Sequence, residues 1–530
     1  MSRIRNRNRH KYSAPVALAL ALSVLAFGSL LASCAASPAQ NSGAELAGSS
    51  ALATPQATVA LPAATMPPTL QAAQAATLEP AETQVATHTV AAGETITRIA
   101  LRYDISVSEL LAVNDLPNPN LLEVGQALVL PEVVGNDAEY TDPIHILADS
   151  RLVRSVNSSR FDVAAFVADQ PGALRDMAVT LGLRQVSAAH VVERVSREYS
   201  VDARVLLAFL EHFARLLSSQ DVDDQARLYP LLRQASGANR AGLYSQLSWL
   251  ADRLNQGYYD WKYRDGAQMR FADNSSLRFS PSLNAATVAV QYALSQLLPP
   301  GEWRDAASDS GWAATYRALF GDPFADAHVT VPQAIRQPEL TLPFPRGEIW
   351  RFTGGFHGGW GNGSAWSAID FAPPDEAAAA YGCYKSSFAA TAVADGVIAR
   401  LAEGLVVLDL DGDGNEGSGW TILYLHIDHH NALQVGQTVS AGNLLGYPAC
   451  IGGYSNATHL HIARRYNGEW LPADCARCPT GSTVPPFVMS GWRVVGLDSQ
   501  LYQGFLVHQA DNRSVVAEQG RYNDINAISW

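Results

Sequence analysis

The chain has 530 residues, a formal net charge of −13 and 48% hydrophobic residues. That length suits several domains rather than one. The acidic balance excludes a nucleic-acid binder, which needs clustered Lys and Arg to displace counterions. The basic run at the start of the chain belongs to a different signal.

Arg3, Arg5, Arg7, Arg9 and Lys11 precede an uncharged apolar run from Val16 to Leu31. This is the order of a secretory signal, and the run is short for a spanning helix, which wants about 20 apolar residues. Leu31-Ala32-Ser33-Cys34 resembles the lipobox of bacterial lipoproteins. The resemblance implies a signal peptide over 1–34, a lipid on Cys34 and a place in the cell envelope, anchored to a bacterial membrane. From 35 to 87 the sequence is Ala, Thr, Pro, Gln and Ser, without an aromatic residue and with only Glu45, Glu79 and Glu82 charged. Such a segment cannot bury enough apolar surface to offset chain entropy and is expected to be a disordered linker. As a flexible tether it would span roughly 40 Å root-mean-square.

Order is expected to begin at His88. Ile96, Ile99, Ala100 and Tyr103 recur at helical spacing. Ser106-Val107-Ser108-Glu109 opens a second helix with a capping box, burying Val107, Leu110 and Leu111. Gly125 to Pro131 reads as a closing strand. Strand, helix, helix, strand over 88–132 resembles a LysM module, which implies binding to N-acetylglucosamine-containing glycans such as peptidoglycan.

Residues 140–335 read as mainly helical. Val201 to Glu211 forms an apolar helix ending near a carboxylate, followed by Gln246 to Trp249, Leu254 to Tyr259 and Leu283 to Thr287. This set weakly resembles lysozyme-like and lytic-transglycosylase domains, in which a glutamate at such a helix end is the general acid. Burial would raise its pKa for that task. His212-Phe213-Ala214 replaces the Ser-Gly that commonly follows, so Glu211 is read first as a capping or surface residue.

The last third carries the candidate chemistry. Its polar positions are His357 in a glycine-rich run, Asp370, His426 after Tyr424, and the pair His459 and His461. Residues two apart on a strand share a face, so His459 and His461 are expected to project together into a groove while Leu460 and Ile462 pack inward. Trp420 to Ile427 reads as a neighbouring strand bearing His426. Two imidazoles and one carboxylate are a normal catalytic zinc set. The order His, Asp, Tyr-x-His, His-x-His resembles the lysostaphin and LytM-type zinc peptidases. Many members place their first histidine four residues before the aspartate, where this chain has Trp366; His357 lies thirteen before it instead. Together with Cys450, this resembles the beta-lytic branch. The resemblance implies an antiparallel β-sheet domain over 343–480, one zinc held by His357, Asp370 and His461, and His426 and His459 as catalytic histidines.

Four further cysteines, Cys383, Cys450, Cys475 and Cys478, read as two disulfides in an exported protein, with three connectivities open. Cys383 with Cys450 and Cys475 with Cys478 is the preferred pairing. Cys475-x-x-Cys478 lacks a second pair for a zinc site. Asp409, Asp411 and Asp413 have calcium-loop spacing, but Trp420 stands where a bidentate glutamate belongs, and a hairpin turn is the preferred reading. Residues 481–530 alternate apolar and polar as strands and receive no chemistry.

The whole reads as a multidomain α+β chain. Its expected function is zinc-dependent endopeptidase action on cell-wall peptidoglycan, targeted by the LysM module. The rival readings are a non-catalytic wall-binding or hydrolase-activating lipoprotein, and a glycan-cleaving enzyme acting through Glu211.

Overall fold

The computed structural model describes residues from 87 onward, apart from most of 91–124 and from 131–138, 232–239, 265, 376–381, 477, 480–481, 498–499 and 520–523. The signal peptide, Cys34 and residues 35–86 of the linker lie outside the described residues, as do Ala100, Val107 and Leu111, while Thr87, expected in the linker, is already in a strand.

At the start of the described chain, strand β1 (Thr87–Thr89) pairs antiparallel with β2 (Ala127–Val129), His88 opposite Leu128. Ile96, Ile99 and Leu110 are helical and pack with Val90, Leu128 and Leu130 in one small core. Asn114 ties the parts together, accepting from Val129 N and donating to the Leu110 and Val129 carbonyls.

The middle region is helical with two added hairpins, Ala178–Leu181 with Arg184–Ser187 and Gln268–Arg270 with Ser276–Arg278. Helix α1 (Ala188–Tyr199) starts where Ser187 accepts from His190 N, and ends at Ser200 in the left-handed conformation. Its Val191, Val192 and Val195 are buried, as is Glu198, and its other charged residues take the opposite face. Helix α2 (Ala203–Ala214) is capped by Asp202 and runs three residues beyond Glu211. Helix α3 (Leu243–Tyr263) crosses α4 (Ala285–Ser295) at Gly257, where a Cβ would lie 2.8 Å from that of Tyr292. Only glycine admits so close a crossing.

The C-terminal part is built on a nine-stranded antiparallel sheet. Its centre comprises β3 (Trp350–His357), β4 (Ala368–Ala372), β5 (Gly396–Ala402), β6 (Leu405–Asp409), β7 (Trp420–Leu425) and β10 (Leu460–Tyr466), in the order β5-β6-β7-β10-β4-β3. A second sheet contains β8 (Ile427–His429) and β9 (Leu444–Pro448). The large sheet is covered on both faces, which is why Trp420 to Leu425 is buried at every position. Val406, Leu408, Ile422, Tyr424, Leu460 and Ile462 face one core, beneath the small sheets. Leu405, Val407, Leu423, Leu425 and Ala463 face the other, shared with the helical body. Strand alternation therefore puts Asp370, between Ile369 and Phe371, and His461, between Leu460 and Ile462, on the helical side.

Helical body and sheet are joined by buried polar contacts as well as by that core. Glu469, in β11 (Glu469–Trp470), is fully buried and accepts from Tyr258, Tyr263, Thr330 and Lys262. Trp470 donates its backbone N–H to the Tyr259 hydroxyl oxygen and its indole N–H to Tyr199 O. Ser200 Oγ donates to Gly468 O at 2.6 Å.

Four strands between Val488 and Val516 form a sheet that includes β12 (Trp492–Gly496) and β13 (Gly504–His508), while Ala527–Ile528 completes the edge of the large sheet on β3.

Candidate metal centre

Backbone register brings the three expected ligands together. His461 on β10 lies directly opposite Asp370 on β4, and Asp370 is opposite Gly354 on β3, the strand that ends at His357. A Cβ at Gly354 would sit 2.4 Å from Asp370 Oδ2, so this position admits no side chain while the carboxylate keeps its place. His357 Nε2 is 3.0 Å from His461 Nδ1, and each lies 3.3 Å from Asp370 Oδ1. Those separations match the edges of a tetrahedron with zinc-length bonds, about 3.3 Å.

The outer atoms say which inner atoms are free. His357 Nδ1 donates to Gly355 O at 2.8 Å, and His461 Nε2 donates to Gly359 O at 3.2 Å. In the neutral rings both protons are thereby placed outward, and two nitrogen lone pairs face each other across 3.0 Å. Asp370 Oδ1 is buried without a hydrogen-bond donor. Two lone pairs and an orphaned carboxylate oxygen converging on one point repel unless a cation lies between them. The residues therefore fit a zinc ion, and outward N–H bonds of this kind are what orient metal-binding imidazoles.

Electrostatics within the cluster follow the same logic. Burial opposes ionisation of Asp370, but the neighbouring histidines, His357 foremost, outweigh it and hold the carboxyl well below its usual range. Burial also disfavours a charged His357, and Asp370 overrides this to raise its pKa. In His461 burial wins and the pKa falls.

The two expected catalytic histidines flank this cluster. His459 donates Nδ1–H to Ala457 O at 2.8 Å, and its Nε2 lies 3.7 Å from Asp370 Oδ1. His426 donates Nδ1–H to Ile451 O at 3.0 Å, and the two ring centroids are 4.7 Å apart. Both rings thus keep an Nε2 lone pair. Burial, followed by the neighbouring His459 and His461, depresses the His426 pKa to about 3. The expected strand from Trp420 to Ile427 stops at Leu425: His426 has φ +59°, and the chain leaves the large sheet there to enter β8 of the other. Changing sheets needs that left-handed residue, a strained conformation for a non-glycine.

Trp366, at the position where many lysostaphin-like chains carry histidine, packs on Phe356 and under Arg264. The cysteines pair as Cys383–Cys450 and Cys475–Cys478. The first of these anchors the chain one residue before Ile451, the His426 acceptor. Asp409, Asp411 and Asp413 gather at the start of the β6–β7 hairpin, with carboxylate oxygens within 4.8 Å of one another. Asp409 Oδ2 accepts from Gly414 N, and burial with a hydrogen bond to Asp411 raises its pKa to about 7. Glu211 lies away from the metal cluster's cavity; its Oε2 accepts from Leu217 N and Ser218 N, closing the turn after α2.

Tyr502 was not legible as a site residue. It lies between β12 and β13 with φ +65°, and its ring stacks on His357 at 4.4 Å between centroids. Its backbone accepts from Gly355 N and donates to Phe356 O, so the C-terminal sheet braces the strand that carries His357.

Three buried side chains that could hold a metal ion, with two further imidazoles beside them, form the candidate site. The comparisons place two parts of the chain. Residues 88–131 match the LysM domain model, and residues 145–333 match the model described as LasA, N-terminal domain. A curated relative, the secreted LysM effector ECP6 of Passalora fulva, is 41% identical over 49 residues, 9% of this chain and 22% of that protein. The match thus spans less than a quarter of the relative. Among solved structures, the M23 metalloprotease pseudoalterin from the deep sea is similar at 22% identity, over 36% of this chain and all of that one, with TM-score 0.26. The catalytic domain of lysostaphin from Staphylococcus simulans is similar at 23% identity, over 24% and 88%, with TM-score 0.17. Scores of that size carry no weight for chemistry, which is read from the atoms of the site.

Proposed function

We propose that the chain is a zinc-dependent endopeptidase that hydrolyses peptide bonds of bacterial cell-wall peptidoglycan. The observation that carries this reading is the convergence of His357 Nε2, Asp370 Oδ1 and His461 Nδ1 at 3.0–3.3 Å with His426 and His459 alongside. When bound, zinc supplies Lewis-acid polarisation of the scissile carbonyl and acidification of a water molecule. His426 and His459 do the proton work. In both, Nδ1 is engaged by a backbone carbonyl and Nε2 is left for proton transfer, so one would take the proton from the attacking water and pass that same proton to the departing amine, while the other would stabilise the developing oxyanion. The low pKa of His426 keeps its ring uncharged at neutral pH.

The LysM segment supports a glycan-bearing target, because tethering to the polymer raises local substrate concentration. Export and lipid anchoring through Cys34, with 35–87 as tether, fit a protein that works in the wall. Digestion of purified wall sacculi by the full-length, zinc-loaded protein, read by mass spectrometry, tests the proposal. New peptide termini on intact glycan are expected. New sugar ends would assign a glycosidase instead, and an unchanged wall would leave a binding lipoprotein.

A further inference from the structure

The cavity that holds the five site residues measures about 1580 Å³, and one of its walls comes from the helical body. His190, Glu193, Arg194, Arg197 and Glu198 of α1 line it, with Tyr244 from the first turn of α3. Spacings of three and four place these α1 residues on one helix face, opposite the buried Val191, Val192 and Val195. Because Asp370 and His461 point to the helical side of the sheet, this wall stands across the cavity from the metal ligands.

The wall's charges are arranged unevenly. Arg194 Nε donates to Glu198 Oε1 at 2.8 Å, and Tyr244 donates its hydroxyl to Glu198 Oε2 at 2.8 Å. Arg197 Nε and Arg154 both donate to Glu193 Oε1. The glutamates are the covered partners, with side chains 6% and 28% exposed for Glu198 and Glu193, whereas Arg194 and Arg197 are 45% and 43% exposed. Each arginine is held through Nε, and Arg194 also lies 4.9 Å over the Tyr244 ring, which reduces the rotamer entropy that a free arginine would lose on binding. What the cavity meets is a pair of half-exposed guanidinium groups above their carboxylate partners, of which Glu198 is engaged at both oxygens and Glu193 through Oε1. Planar forks of this kind recognise carboxylates.

We propose that Arg194 and Arg197 are specificity-determining residues that bind carboxylate groups of an acidic peptide lying between the helical wall and the metal ligands. This rests on the peptidase reading and names the substrate class for the same site. The helical body then acts as half of the substrate cleft. Its attachment through Glu469, Trp470 and Ser200 holds that half in register with the sheet.

The test uses full-length, zinc-loaded protein and sugar-free wall stem peptides, so that the LysM segment has no glycan to bind. Peptides with free carboxylates are compared with the same peptides converted to carboxamides, by calorimetric binding and by cleavage. Unmodified protein is expected to bind the acid form at least about tenfold more tightly, the worth of one charge-assisted hydrogen bond or more. Arg194→Gln with Arg197→Gln is expected to remove that preference, raising KM for the acid form with kcat little changed and leaving the carboxamide form unaffected. Equal binding of the two forms by unmodified protein overturns the proposal without reference to any variant's folding. A variant that weakens both forms equally does so too. Absence of cleavage alongside preferential binding would remove the peptidase reading and leave the anion-binding wall standing.

Discussion

The two walls of the cavity are held in place by different kinds of force. On the sheet side, backbone register does the work: His461 faces Asp370 across a ladder, and Gly354 faces Asp370 across the next. On the helical side, side-chain networks do it, through Glu469 beneath β10 and through Glu193 and Glu198 along α1. Register can fail only if the sheet fails, whereas a network fails with any one member. Substitutions should therefore separate chemistry from cleft assembly.

The largest expected effect is on turnover. His426→Ala should retain zinc and lower kcat by about 10²–10⁴, the usual worth of a positioned acid–base group. Zinc content and rate measured on the same preparation check this. Next comes the join between the walls. Glu469→Ala leaves Lys262 and three hydroxyls facing a buried void and should cost about 3–5 kcal/mol in denaturant titration. Proteolysis within 140–335 should accelerate before the sheet unfolds.

A smaller effect depends on pH. Glu416 is buried between Arg400 and Arg465, and although burial opposes its charge, the two arginines hold its carboxyl far below the usual 4.5. A depressed folded pKa stabilises above the unfolded value and loses that contribution as pH falls. Stability should thus decline steeply below about pH 4.5, and Glu416→Gln should lose about 3 kcal/mol at neutral pH and show a shallower acid limb. The smallest effect is at Glu211. Glu211→Gln weakens two backbone caps, costing about 1 kcal/mol, and should leave wall digestion unchanged. A loss of wall digestion there would move the chemistry from the sheet to the helical body.

How much was legible follows from the same contrast. Strand alternation made the His459 and His461 pair legible, whereas His357 and Asp370 were picked out through the resemblance to lysostaphin-type chains, and only the sheet register brings them together. The hairpin at Asp409 and the small core around Ile96, Ile99 and Leu110 were readable for similar local reasons. The break at His426 was not, because a left-handed residue there is required only by the transfer between two sheets. Tyr502 reads as an ordinary aromatic in a turn, and its stacking on His357 depends on contacts distant in sequence. The charged stripe of α1 has the i, i+4 pattern of any solvated helix, and only the docking of the helical body reveals what it faces.

Titration of the metal-free, full-length protein with zinc bears most directly on the central claim. One ion per chain is expected, bound tightly by the wild type and lost in His357→Ala, Asp370→Ala and His461→Ala alike, while His426→Ala and His459→Ala still bind it. Undiminished stoichiometry in the first three would contradict the site.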